Sequence, residues 1–172
     1  MRRKLAVLAI ITVLAAAVVI SYSLNRTSVE AQKQILENAQ ILLKWEDIDI
    51  MLSRNDIASC GEENFNGVLD TSKTEPATHT YTGVQLKNIL YSYNINLDGK
   101  TSVILSAADG FSVAYAADEV EKENNVYIAY MQDGSYLGSI STGGRGPFES
   151  IILSDVFSNR RCKWLTKIEV RQ

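Results

Sequence analysis

The chain has 172 residues, 46% hydrophobic and 22% charged, a size and composition that suit one globular domain with a short extra segment and exclude two full domains or a disordered chain. Seventeen Lys and Arg against 20 Asp and Glu give a formal charge of −3, which argues against a general nucleic-acid binder. Two Cys and one His cannot complete a four-ligand zinc site unless carboxylates fill in, and a Ser-His-Asp hydrolase would rest on His79 alone.

The first element is an apolar run, Leu5 to Leu24, twenty residues without a charge. As a helix rising 1.5 Å per residue it is about 30 Å long, the thickness of a bilayer's hydrocarbon core. Arg2, Arg3 and Lys4 precede it, so the positive-inside rule places the N-terminus in the cytoplasm and the rest outside. Residues 1–24 are thus expected to be an uncleaved signal anchor that makes the chain a single-pass protein of the cell membrane. Cleavage and secretion is the alternative.

Over residues 25–45, Val29, Ile35, Leu36, Ala39, Leu42 and Leu43 recur at steps of three and four between polar residues. This predicts an amphipathic helical linker, and Trp45 to Leu52 reads as a second short helix. From Asn55 onward the texture changes. Short β-prone runs cover 65–69, 78–82, 101–105, 111–115, 126–130, 149–153 and 164–170. Asp98-Gly99, Asp109-Gly110 and Asp133-Gly134 are turn signals among them. Residues 84–93 carry apolar positions 86, 89, 90 and 93 at helical spacing, and 117–123 form a short charged helix or turn. The fold class is α+β, a strand-rich mixed domain over 46–172.

Two segments carry chemistry. Ser141 to Pro147 is a glycine-rich loop whose consecutive N–H groups can cradle an anion beside Arg145. The same residues suit a solvated loop between strands, and no Gly-Lys-Ser/Thr follows to make a P-loop. In Asn159 to Trp164, three cations surround Cys162. They would favour its thiolate if it were exposed; a small buried side chain in a basic turn is the other reading. Cys60 precedes Gly61-Glu62-Glu63, acids that disfavour a thiolate. Outside the cytoplasm Cys60 and Cys162 are permitted to pair, although 101 intervening residues say nothing about their distance. His79 stands at strand spacing and reads as an exposed strand residue. Asp118, Glu119, Glu121 and Glu123 read as a water-facing cluster.

The order of five motifs resembles the molybdopterin-binding domain of the sulfite oxidase family. They are Tyr81-Thr82-Gly83-Val84-Gln85-Leu86-Lys87-Asn88-Ile89-Leu90, Ser106-Ala107-Ala108-Asp109-Gly110-Phe111-Ser112, Tyr127-Ile128-Ala129-Tyr130-Met131 with Asp133-Gly134, Gly146-Pro147-Phe148, and Lys163-Trp164-Leu165-Thr166-Lys167-Ile168-Glu169-Val170. The resemblance covers about residues 60–172. It implies that family's strand-rich α+β fold, and the local physics is compatible with it: Gly83 is expected to end one strand before a helix from Val84, and Asp109-Gly110 to join two strands tightly. It also implies an oxidoreductase with a molybdopterin cofactor, whose molybdenum is bound by a cysteine thiolate. Cys60 is the Cys available upstream of the Tyr-Thr-Gly-Val segment. Lys163 is the cofactor-binding position best carried over, with Arg145, Gly146, Arg160 and Arg161 as further partners of the pterin and its phosphate. Cys162 falls where the family has a small apolar residue. The expected partners are the membrane, through the N-terminal helix, and a pterin or small anion. The alternative is a cofactor-free relative serving as a binding module for a small anion, another cofactor or a protein. Both readings expect the glycine-rich turn and the cationic stretch to converge on a positively charged hollow.

Overall fold

The computed structural model describes residues 2–71, 74–98 and 101–171, and the chain divides into two units, Met1–Gln34 and Ile35–Gln172. The first is helical. Helix α1 runs Arg2–Asn38, and the side chains described within 10–22 are exposed, among them Ile10, Val13, Val18 and Ile20. Among the described residues no helix is long and apolar enough to cross a membrane; the run from Leu5 to Leu24 extends beyond those whose side chains are described.

Helix α1 stops seven residues short of the predicted linker's end. Gln40–Trp45 is strand β1 and Ile48–Ser53 is strand β2, where helix was expected. The adjacent pair Leu42-Leu43 fits a helical stripe as well as a strand, so local spacing does not separate the two. Burial does: Ile41 and Leu43 are buried while their neighbours are less so, a period of two. The partners come from far along the chain. β1 lies parallel to β10, Leu165–Arg171, with Leu42 opposite Lys167 and Trp45 opposite Val170, and antiparallel to β2.

Strands β5, Ser102–Ala107, and β6, Ser112–Ala116, complete the first sheet in the order β2-β1-β10-β5-β6. The second sheet holds β3, Glu63–Thr71, β4, Thr74–Gln85, β7, Val126–Gln132, and β8, Ser135–Tyr136, in that order, with β9, Glu149–Ile152, paired to β7. Three short helices accompany the sheets: α2 (Arg54–Ser59), α3 (Leu86–Ser92) and α4 (Ala117–Glu121). Ser53 caps α2 through a reciprocal pair with Asp56. The strand-rich α+β reading holds, and the Asp109-Gly110 and Asp133-Gly134 turns join β5 to β6 and β7 to β8 as expected. Gly99 of the third turn signal lies outside the described residues.

Gly83 differs from its expected place. It lies within β4, at a register shift against β7, and α3 begins at Leu86. A Cβ at Gly83 would collide with the Ile128 carbonyl oxygen and the Ala129 Cα, so glycine lets β7 approach closely rather than ending the strand. One large core contains Leu36, Ile41, Leu52, Leu86, Ile89, Leu105, Tyr115, Tyr130, Phe148 and Ile168. A smaller apolar cluster, Phe65, Tyr81, Tyr127, Ala129 and Ile151, lies on the second sheet. Phe65 stacks on Tyr127 with ring centroids 3.8 Å apart.

Candidate ligand pocket

A cavity of about 700 Å³ opens in the second unit. The far end of β3 supplies Asp70 and Thr71, the β5–β6 turn supplies Asp109 and Phe111, and the segment entering β10 supplies Phe157, Ser158, Asn159, Arg161, Lys163 and Trp164. Local hydrogen bonds set each wall. Asp109 Oδ1 accepts from Phe111 N at 3.0 Å, which holds the turn with Phe111 at the cavity. The segment between β9 and β10 is fastened to β3 by Ser158, whose Oγ accepts from Asp70 N at 2.9 Å. Arg161 adds two bonds, donating to Tyr81 OH at 3.0 Å and Val68 O at 2.5 Å. Its guanidinium lies over the Tyr81 ring, 5.4 Å from the centroid.

The glycine-rich turn and the cationic stretch meet as expected, and Trp164 is the junction. Its backbone N–H donates to Arg145 O at 2.9 Å and its indole Nε1–H to Gly144 O at 2.6 Å. Trp164 has φ 51°, a left-handed conformation that costs a bulky residue on the order of 1–3 kcal/mol unless its surroundings impose it. Those two bonds impose it, and they hold the indole as a fixed wall.

The cations divide. Arg161 and Lys163 line the cavity, and Arg145, Gly146 and Arg160 are not among its lining residues. Arg145 pairs with Glu149, Nε to Oε2 at 3.3 Å, and bonds Gln132 Oε1. Gly146 donates to Gly138 O at 2.7 Å and packs against Leu137. Arg160 pairs with Asp155 and Glu119 at 2.5 and 2.7 Å and holds the Glu119 carboxyl below the usual range, so Glu119 is ion-paired rather than simply water-facing. A change of backbone conformation accompanies the split: Arg160 ends the short 3-10 turn Ser158–Arg160 and bonds Asp155 and Glu119, while Arg161 is already extended and bonds Tyr81 and Val68. Among the described lining residues the charges balance, Asp70 and Asp109 against Arg161 and Lys163, where a positive hollow was expected. Among the described residues the Lys163 ammonium has no ion-pair partner. Reading charge clusters and glycines gives no signal for Phe157 or Asp70, which also line the cavity. Trp164 and Phe111 carried a signal, as members of the quoted motifs.

Cys60 caps the C-terminus of α2, half-buried, with Sγ bonded to Asp56 O at 3.2 Å. It sits just before β3, whereas the cavity lies at that strand's other end; nine extended residues span about 26 Å. Cys162 is fully buried in the main core, and burial pushes its thiol up to about 12, so the surrounding cations do not activate it. Both cysteines are free; the permitted disulfide is not formed. His79 bonds Asp133 Oδ2 through Nδ1 at 2.7 Å, tying β4 to the β7–β8 turn away from the cavity.

A model of the oxidoreductase molybdopterin binding domain matches residues 29–172. The chain belongs to that family. Its fold is similar to the sulfane dehydrogenase SoxCD from Paracoccus pantotrophus, with a TM-score of 0.63 at 13% identity. The similarity covers 78% of this chain and 38% of that one, and at such identity it speaks for the fold alone. No curated protein matches the chain.

The family's cofactor tests the donor set. Molybdenum in this family takes a cysteine thiolate, and no cysteine is among the residues lining the cavity. Among the described residues no three His, Cys, Asp or Glu side chains gather to hold a metal ion. The aromatic walls and Lys163 suit a flat anionic molecule, but the thiols stand in the wrong places for a metal bond.

Proposed function

We propose that this chain is a membrane-tethered, extracytoplasmic member of the molybdopterin-binding domain family that holds a small anionic ligand without a protein thiolate on a metal. The ligand is a flat ring carrying negative charge, the pterin of the family's cofactor or a molecule of like shape. The carrying observation is the cavity walled by Phe111, Phe157 and Trp164, with Lys163 in its lining and Cys60 at the opposite end of β3. Its volume of about 700 Å³ suits a drug-sized molecule. The ring would stack on the aromatic walls, while Lys163 and the remaining donors of Arg161 receive the anionic group.

The tether rests on the uncharged run from Leu5 to Leu24 behind Arg2, Arg3 and Lys4 and on the exposed apolar side chains within 10–22, a surface that water does not favour. Protease added outside intact cells should then digest the second unit and spare the N-terminus.

Metal analysis of the full chain, expressed in a host that makes molybdenum cofactor and purified in detergent, tests the reading. Molybdenum is expected well below one per chain, and Cys60→Ser should leave any bound ligand in place. One molybdenum per chain, lost in Cys60→Ser, would overturn it in favour of a metal-bearing oxidoreductase.

A further inference from the structure

Glu149 opens β9 opposite Ala129 of β7, and its side chain is completely buried. Neither carboxylate oxygen accepts a hydrogen bond, although Arg145 Nε lies 3.3 Å from Oε2 as an ion pair; burial without hydrogen bonds penalises the charged form. The backbone bonds Ser150 N to Cys162 O, 3.0 Å, and Leu165 N to Phe148 O, 2.9 Å, bring Lys163 and Trp164 alongside it. Three cations act on the carboxyl through their charge: Arg145 of the β8–β9 loop, paired with it at 3.3 Å, and Arg161 and Lys163 of the segment entering β10. From β7, Gln132 bonds Arg145 and brings no charge. The Cys162 thiol nearby is pushed up to about 12 by burial, with Asp109 and Glu149 adding to it, and stays protonated.

Two opposed effects thus meet at Glu149. Burial pushes its carboxyl up, and the three cations pull it back. Two of those cations, Arg161 and Lys163, also line the cavity. We propose that Glu149 links the cavity to a proton: an anion seated against Lys163 and Arg161 competes with the Glu149 carboxylate for their charge, and Glu149 takes a proton from solvent as the anion binds. This rests on the reading of the cavity as an anion pocket. No other bond forms or breaks, and no electrons move.

The sign follows from linkage. Binding favours the protonated form, so affinity rises as pH falls through the titration of Glu149, by at most about tenfold per pH unit, and levels off once Glu149 is protonated beforehand. Sulfate is the probe, because it remains a dianion between about pH 5 and 9 and contributes no protons of its own. Calorimetry on the full chain in detergent, repeated in buffers of different ionisation enthalpy, reads both affinity and proton uptake.

The expected result is sulfate affinity that climbs with falling pH, with uptake approaching one proton per ion. Glu149→Gln should bind with the wild type's low-pH affinity at every pH and take up no proton. Lys163→Ala should lose binding; retention there would place the ion elsewhere and overturn the proposal. Equal, pH-independent binding by wild type and Glu149→Gln would overturn the proton link and leave the anion pocket standing. No binding by either at any pH would overturn the anion pocket itself and the link with it. Should Glu149→Gln fail to fold, the carbon-13 shift of the Glu149 carboxyl in the wild type gives the same answer. It should move from ionised to protonated on sulfate addition, and an unmoved shift refutes the link.

Discussion

Trp164 joins the two segments that build the cavity, through one backbone bond and one indole bond. Trp164→Phe should keep the aromatic wall and lose the indole bond to Gly144, lowering stability by about 1 kcal/mol in a denaturant melt. Trp164→Ala also removes the ring, and ligand affinity should fall about tenfold or more, the scale of a lost stacking partner. Equal effects of the two variants on affinity would show that the ring is not a wall of the site. At the other end of β10, Lys167 and Arg171 bond Glu169 at 2.8 and 2.6 Å and hold its carboxyl at about 2, against an ordinary 4.5. A depressed carboxyl contributes stability that is present above about pH 4.5 and lost as pH falls through about 2. Glu169→Gln should flatten the melting temperature's decline over that window and leave neutral-pH binding unchanged. Glu149 has the opposite sign: its raised carboxyl favours the fold at low pH and costs stability as pH rises through its titration.

Strand β4 is the element on which the second sheet depends, since it pairs with both β3 and β7. Gly83→Ala places a methyl group against the backbone of Ile128 and Ala129. Backbone has no rotamer with which to give way, so the expected loss is on the order of 3 kcal/mol, read as a fall in the denaturation midpoint. Wild-type stability in this variant would show that β7 shifts freely. The segment between β9 and β10 depends instead on side chains. Arg161→Ala removes charge-assisted bonds to Tyr81 and Val68, worth about 2–3 kcal/mol, and should open that segment to protease near Val156 and Phe157, already exposed. The element most poorly legible from the chain was β1. Leu42 and Leu43 satisfy a helical stripe, and what makes them a strand is β10, more than 120 residues later. The runs that became β5, β6, β7 and β10 were legible because each alternates or clusters β-branched residues between turn signals.

At the scale of the whole molecule, the core of the second unit closes within Ile35–Gln172, Leu36 included. That piece should fold by itself, with a cooperative melt and no membrane association, while the full chain sediments with membranes. A truncated chain that fails to melt cooperatively would show that the first unit contributes to the fold. Several conclusions needed the sequence alone: the uncharged N-terminal run, the strand-rich α+β class, and the motif order that marks the family. These are properties of local composition and spacing, which chain order preserves. Which cations face the cavity, and how far Cys60 lies from it, were decided by tertiary structure. Arg160, Arg161 and Lys163 are near neighbours in sequence, yet the 3-10 turn that ends at Arg160 and the distant partners Glu119 and Tyr81 send the first two to different places. The whole length of β3 separates Cys60 from the pocket that its place in the motif order had promised it.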